Sequence, residues 1–484
     1  MQSQPLSKFV HRVSSCAISA IVGVGATVAL VMAINSSPST AQAASQTPRL
    51  VTRIASLNSS PSLTLTGETT NNLFGVSVSA AGDVNNDGYD DVIIGADGYS
   101  SNKGRVYVFL GSANGLSNTP SVTITGEGNL DLFGYSAQTA GDTNGDGFDD
   151  VIVGAFGYSG FSRQGRAYLY LGNVNGLSTT AAITLTGESG LNYFGQRAAT
   201  AGDVNKDGFA DIIIGAPGSP SLSIQGRTYL YLGSASGLSA TPALTLTGES
   251  SNDSFGWSVG IAGDVNKDNY TDVFVTARGY LTNTGRVYIY HGSASGLSTT
   301  PALTLTGQTA NEFFGHSASA AGDINQDGYS DIVIGASGYM SQTGRAYVYL
   351  GGVSGLGASP VITLTGQATT YAFGNSVGTA GDINGDGYSD IVVGAEGYLS
   401  STGQAYLYLG TVSGLDSTPT ITLTGENVGD HFGARGSTGG DVNHNGVDDL
   451  IIGAPYYLNY TGRAYLFNGV AVASNKLYLP LIMR

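Results

Sequence analysis

Cysteine is almost missing from this chain of 484 residues: the one copy, Cys16, stands in the string VSSC near the N-terminus. That excludes a disulfide framework and cysteine-ligated zinc. Cys16 precedes the only long apolar run instead of following it, so the loose likeness of VSSC to a lipoprotein-processing site is rejected. Charge is scarce at 11% of residues, and basic charge scarcer, with 19 Lys and Arg against 35 Asp and Glu and a net charge of −16. Nucleic acid and anionic lipid are therefore poor partners. Helical periodicity is lacking beyond the N-terminal segment, which excludes helical solenoids. Beyond that segment the histidines are His291, His316, His431 and His444, each at a different point of the pattern described below, and no Ser/His/Asp set can be assembled from spacing. With no cysteine nucleophile and no phosphate-binding loop either, the chain is not expected to be an enzyme.

The apolar run, residues 17–34, follows Lys8 and Arg12 and precedes a Ser/Pro-rich stretch ending in Ala41-Gln42-Ala43. This is the order of a secretory signal peptide cleaved after Ala43. At about 18 residues the run is also long enough for an uncleaved membrane anchor. Either way the bulk of the protein is expected outside the cell, secreted or held at the cell surface, with no membrane insertion beyond this segment. Cleavage removes Lys8 and Arg12 and no acid, leaving 17 basic against 35 acidic residues. An exported chain without disulfides needs another staple.

What is abundant is Gly, at 73 copies, with Ser, Thr and Tyr, a composition of short strands and tight turns. Phe-Gly pairs fall at Phe74, Phe133, Phe194, Phe255, Phe314, Phe373 and Phe432, never more than two residues from a constant spacing. Seven near-equal units make an array. Each unit runs in a fixed order, as in FGVSVSAAG (74–82), an acidic loop, DVIIGA (91–96), GRVYVFLG (104–111) and SVTITGE (121–127). Three of these pieces alternate apolar with small or polar residues, while VIIG is continuously apolar, as a strand buried on both faces is. Four strands per unit and seven units predict an all-β, seven-bladed propeller over residues 62–468. Residues 44–61 read as a linker and 469–484 as a tail. A TLTG-like strand at 63–67 precedes the first unit and none follows the last GRAYLF, so the ring is expected to close by residues 62–67 completing the last blade. The competing closure uses LYLPLI (477–482), where Pro480 tolerates an edge position.

These residues resemble the FG-GAP repeats that form the propeller of integrin α subunits. The resemblance covers roughly residues 62–468. It rests on the Phe-Gly pairs, on the acidic loops, and on Gly-Ala after the second strand, extended to Gly-Ala-Pro at Gly215 and Gly453. The fourth unit departs, with Thr276-Ala277-Arg278 at that place. The resemblance implies calcium in the loop between first and second strands, on the face opposite the one that binds ligands.

The acidic loop also argues for itself. It reads D-x-N-x-D-G-x-x-D, offering side-chain oxygens at positions 1, 3, 5 and 9 and a backbone carbonyl at position 7, the oxygen-only donor set of calcium. The candidate ligands are Asp83, Asn85, Asp87, Tyr89 and Asp91 in the first loop, and Asp142, Asn144, Asp146, Phe148 and Asp150 in the second. The third offers Asp203, Asn205, Asp207, Phe209 and Asp211; the fourth Asp264, Asn266, Asp268, Tyr270 and Asp272. The fifth offers Asp323, Asn325, Asp327, Tyr329 and Asp331; the sixth Asp382, Asn384, Asp386, Tyr388 and Asp390. In the seventh, Asp441, Asn443, Asn445, Val447 and Asp449, an Asn replaces the Asp of position 5, so this site is expected to be the weakest. Gly88 supplies a positive φ at position 6, and Asn269, which replaces it in the fourth loop, tolerates the same region. An EF-hand begins alike but needs helical flanks and an acid at position 12; here that position is Ile or Val within a strand. Up to seven calcium ions are expected. Turn preference alone does not call for carboxylates at positions 1, 5 and 9 in six of the seven copies.

Two further sets recur. Arg105, Arg166, Arg227, Arg286, Arg345 and Arg463 open the third strand, with Gln404 in the sixth unit, and are expected to bond neighbouring loops. Tyr99, Tyr158, Tyr280, Tyr339 and Tyr398, with Tyr456 and Tyr457, follow the second strand. They either cap their own blades or ring a surface suited to sugar or protein recognition. The whole reads as a monomeric, non-catalytic recognition or adhesion module for an extracellular protein or glycan. The alternatives are a lectin-like or enzymatic propeller acting on extracellular polysaccharide, and a structural envelope component.

Overall fold

The computed structural model describes residue 57 and residues 59–188, 190–218 and 224–471. The expected signal segment, most of the linker and the LYLPLI string lie outside the described residues. Among the described residues no helix is long and apolar enough to cross a membrane.

Seven four-stranded antiparallel sheets are present, as expected. In the first, Ser77–Gly82 pairs with Asp91–Ala96, that with Arg105–Phe109, and that with Val122–Thr125. The second strand is fully buried in every sheet, which is why its sequence is continuously apolar. The last sheet takes its outer strand from the other end of the chain: Leu63–Thr66 pairs with Arg463–Phe467, Leu63 opposite Leu466. That edge is the one the competing closure required, so the N-terminal strand closes the ring.

The core is divided into seven clusters, each shared by two adjacent blades. The Phe of each Phe-Gly pair is the wedge between them. Phe133 bridges Gly104 of the blade before it and sets its ring edge-on against Tyr168 of its own blade, at 5.5 Å between centroids. The same edge-on pair recurs in every blade, so the tyrosines at 107 through 465 are packing residues, as expected.

The Gly of Gly-Ala has an equally specific cause. A Cβ on Gly154 would stand 2.0 Å from the Gly195 carbonyl oxygen of the next blade. Thr276 breaks this rule. It is fully buried, and its Oγ1 accepts the Ser258 N–H at 3.0 Å. The blade that contains it and the blade that faces it carry innermost strands of nine residues, Phe255–Gly263 and Phe314–Gly322, where the others have six.

The recurrent arginines tie blade to blade. Arg105 Nη1 donates to Glu68 at 2.8 Å, and Arg286 and Arg463 repeat the contact with Glu249 and Glu426 at 2.9 Å. All of these guanidiniums but that of Arg227, whose 2–3 loop has no tyrosine, also lie over the tyrosine of their own 2–3 loop, Arg286 at 3.7 Å from the Tyr280 ring centroid. Where the sixth unit has Gln404, the position that would hold the glutamate is Gln367. Five of the recurrent tyrosines thus cap their own blades beneath an arginine. Arg286→Ala removes one half-exposed ion pair and one stacking contact, and is expected to lower the stability to urea by about 1–2 kcal/mol.

In five blades the 2–3 loop contains a one-turn segment, such as Tyr280–Asn283, in which successive non-glycine residues take left-handed φ, 44° at Leu281 and 57° at Thr282. Such a run has no propensity signal, because isolated chains avoid it. The next blade holds it in place: the Asn283 carbonyl accepts the Phe313 N–H at 2.8 Å.

Candidate functional site

The antiparallel order places all seven acidic loops at one end of the blades and the Phe-Gly pairs with the 2–3 loops at the other. Each acidic loop is wound around its own first carboxylate. Asp83 accepts the N–H groups of Asp87 at 3.0 Å and Gly88 at 2.8 Å, Asn85 Oδ1 accepts Asp87 N–H at 3.2 Å, and Asp87 Oδ1 accepts Tyr89 N–H at 3.1 Å. Gly88 has φ 88° and Asn269 φ 67°, as their loop position required. Position 4 is left-handed as well, at Asn86, Lys206, Lys267, Gln326 and His444, which the sequence did not reveal.

Position 9 stands apart from the other donors. Asp91 is fully buried; its Oδ2 accepts the Val84 N–H at 3.0 Å and its Oδ1 the Gly111 N–H at 2.9 Å, fastening the loop to the end of the third strand. Asp150, Asp211, Asp272, Asp331, Asp390 and Asp449 do the same. The donors proposed at positions 1, 3 and 5 are therefore brought together at the loop surface, and position 9 lies beneath them. Among the described residues no three His, Cys, Asp or Glu side chains stand at a spacing that holds an ion by themselves. Burial, with help from the carboxylates of the same loop, pushes the position-9 group up to about 7 in Asp91, Asp211, Asp331 and Asp449. A cluster of desolvated carboxylates lacking countercharge is the electrostatic state that a divalent cation reverses, so the oxygen-only donor set fits such an ion. In the seventh loop Asn443 Nδ2 donates to Asp449, at 3.2 Å, where its counterparts in the first five loops donate to the Asp of position 5.

The loops also join one another. The position-8 N–H of each donates to the position-1 carbonyl of the preceding blade, from Asp149 to Asp83 at 3.2 Å through Asp90 to Asp441 at 3.3 Å. In three adjacent blades position 8 is an Asp whose carboxylate adds a second bond, Asp149 to Asp83 N–H at 3.0 Å, Asp90 to Asp441 N–H and Asp448 to Asp382 N–H at 2.8 Å.

At the opposite end a cavity of about 430 Å³ opens on the ring axis, lined by the innermost strands of all the blades. Here the repeats stop being alike. The residue after each Phe-Gly is Val76, Tyr135, Gln196, Trp257, His316, Asn375 or Ala434, different in every unit. The residue after Gly-Ala, or after Thr-Ala in the fourth unit, also varies, with Asp97, Arg278 and Glu396 among its occupants and only Pro occurring twice. Trp257, the only tryptophan of the chain, donates Nε1–H to the His316 carbonyl at 3.1 Å and carries the Arg278 guanidinium at 3.2 Å from its ring centroid.

The FG-GAP repeat model matches residues 74–109, 133–170, 194–231, 255–290, 314–349, 373–408 and 432–467, more than half of the chain. The chain belongs to the FG-GAP repeat family. Its FG-GAP units are similar to integrin alpha-8 of Gallus gallus, 32% identical over 242 residues that make up 48% of this chain and 21% of the relative. Integrin alpha-V of Gallus gallus is 35% identical over 42% of this chain and 20% of its own length, and integrin alpha pat-2 of Caenorhabditis elegans 33% identical over 49% and 19%. The chain thus spans about a fifth of the length of these relatives. The FG-GAP propeller is integrin-α-like in repeat and ring.

Proposed function

We propose that this FG-GAP propeller is an exported, calcium-binding recognition module that holds an extracellular protein or glycan at the Phe-Gly end and does no chemistry on it. The observation that carries the reading is the concentration of single-copy side chains around the axial cavity, in a molecule whose repeats are otherwise close copies. A scaffold demand would recur in every blade; a site for one ligand need not. The same end carries exposed apolar residues at the tips of the left-handed turns, Leu281, Met340, Leu399 and Leu458, consistent with a contact surface.

The ions belong to the other end. In the first loop Asp83, Asn85 and Asp87, with the Tyr89 carbonyl, would hold one calcium above the buried Asp91, and the other loops follow in register. Bound calcium supplies the countercharge the carboxylates lack; it fixes the loops and leaves the recognition end free. Residues 1–43 serve export in this reading.

An array of glycans and matrix proteins probed with the calcium-loaded protein, run beside a hydrolase and lyase screen, tests it. Retention of one ligand class, abolished by substitutions at the Phe-Gly end and not at the loop end, is expected. Turnover of any substrate, or retention lost only by loop-end substitutions, overturns it.

A further inference from the structure

The charges around the axial cavity are unlike those of the rest of the molecule. Arg197 and Arg435 line it, and Arg278 stacks on Trp257 at its wall. Among the described residues none of the three is in an ion pair, whereas Arg105, Arg166, Arg227, Arg286 and Arg463 each are. Neutral groups hold them instead. Arg278 Nη1 stands 3.4 Å from His316 Nδ1, Arg197 Nη1 donates to the Gln196 carbonyl at 3.3 Å, and Arg435 Nη1 to the Ala434 carbonyl at 2.7 Å.

These cations repel one another. Burial, and then Arg435, lower Arg197 to about 10; burial, and then Arg197, do the same to Arg278. Burial and all three guanidiniums push His316 down to about 3, so it is neutral and accepts from Arg278. The acidic groups at this mouth are Glu396, 3.6 Å from His431, and Asp97, a buried carboxylate that feels Arg435 and has one oxygen with no partner. The uncompensated positive charge therefore sits with Arg197 and Arg278, on the adjacent third and fourth blades. Unpaired, half-buried cations are costly unless something anionic completes them.

We propose that the axial cavity binds a sugar acid, a hexuronate unit whose carboxylate lies on Arg197 and Arg278 while its ring rests against Tyr135 and Trp257. The proposal rests on the recognition reading above and gives it a ligand class. Planar guanidiniums match a carboxylate in bidentate geometry, and aromatic faces suit the C–H side of a sugar ring. The volume holds one or two rings. An acidic polymer fits less well, because the protein's net charge of −16 repels one everywhere except at this mouth. The site also explains the fourth unit: the one departure from Gly-Ala, Thr276-Ala277-Arg278, is the segment that places Arg278 on Trp257.

Trp257 makes the test direct, since all tryptophan emission comes from the site. The full chain in calcium buffer is titrated with D-galacturonate and D-glucuronate, with D-galactose, sodium sulfate and glutarate as comparators. One of the two uronates is expected to change the emission saturably, galactose not at all, and sulfate and glutarate at least about tenfold more weakly, the difference a sugar ring's contacts would make. Arg197→Gln is expected to weaken uronate binding at least tenfold and to raise the melting temperature by relieving the repulsion with Arg435, while Arg227→Gln, at an outer ion pair, leaves binding unchanged. No response to either uronate, equal binding of sulfate or glutarate, or undiminished binding by a folded Arg197→Gln protein overturns the proposal. Should Arg197→Gln fail to fold, Arg278→Gln decides by the same criterion. A silent uronate titration beside a positive array overturns the ligand class alone; silence in both overturns the recognition reading with it.

Discussion

Chelation at pH 8 is expected to lower the melting temperature by roughly 20 °C: seven independent sites, each at ten times its Kd, contribute about 1.4 kcal/mol apiece, and large domains shift by about 2 °C per kcal/mol. The sum, about 10 kcal/mol, is comparable to the whole stability of an ordinary domain. The effect depends on pH, and its sign follows from the position-9 carboxylates. Burial raises them to about 6 at Asp150 and Asp272, to about 7 at Asp91, and to about 8 at Asp390, against 3.8 for an unperturbed Asp. Without metal the folded state holds these protons more tightly than the unfolded chain. Their contribution is therefore fully present below about pH 4 and is lost as pH rises through about 6 to 8. Calcium binds the ionised loops and works the other way. Melting curves with and without chelator should lie close together at pH 5 and separate widely at pH 8. Superimposable curves at pH 8, with no metal found by elemental analysis of calcium-soaked protein, would refute the metal sites.

A chain beginning at Glu68 is the second severe case. It lacks the strand 63–66, so Arg463–Phe467 becomes an open edge and Leu65, buried in the cluster between the last and first blades, leaves a gap. The loss of Leu65 alone is a deletion costing about 2–5 kcal/mol. Exposed edge N–H and C=O groups then recruit another chain. Sedimentation should show larger species than the full chain gives, and the melting temperature should fall. A monomeric truncated protein with unchanged melting would show that the last blade stands without its fourth strand.

The ring was legible because its signals repeat. Phe133 and its counterparts are wedges in every interface, so their period reports blade number directly. The conformation of Asn269 followed from its place in a loop whose other copies have Gly. The acidic loops were legible as donor sets but not in depth. Nothing in D-x-N-x-D-G-x-x-D tells Asp91, beneath the loop, from Asp83 at its rim; the distinction comes from Gly111, on another strand. Position 8 carried a signal that could have been read: Asp90, Asp149 and Asp448 are extra acids in three adjacent blades, and their bonds run to the preceding loop. The axial cavity was hidden for a different reason. Trp257 and His316 each occur once at their repeat position, Arg197 shares its own only with Arg435 where the other five units have Ser, and all are far apart in sequence. Only the ring brings the exceptions together.

The pairing of Leu63 with Leu466 also sets a clock. The closing strand is made among the first and its partner among the last, about 400 residues later. At 5–20 residues per second, roughly 20 to 80 seconds pass between the two. For that interval the early blades exist as an open arc, and export before synthesis ends would leave the final seam to form on the far side of the membrane.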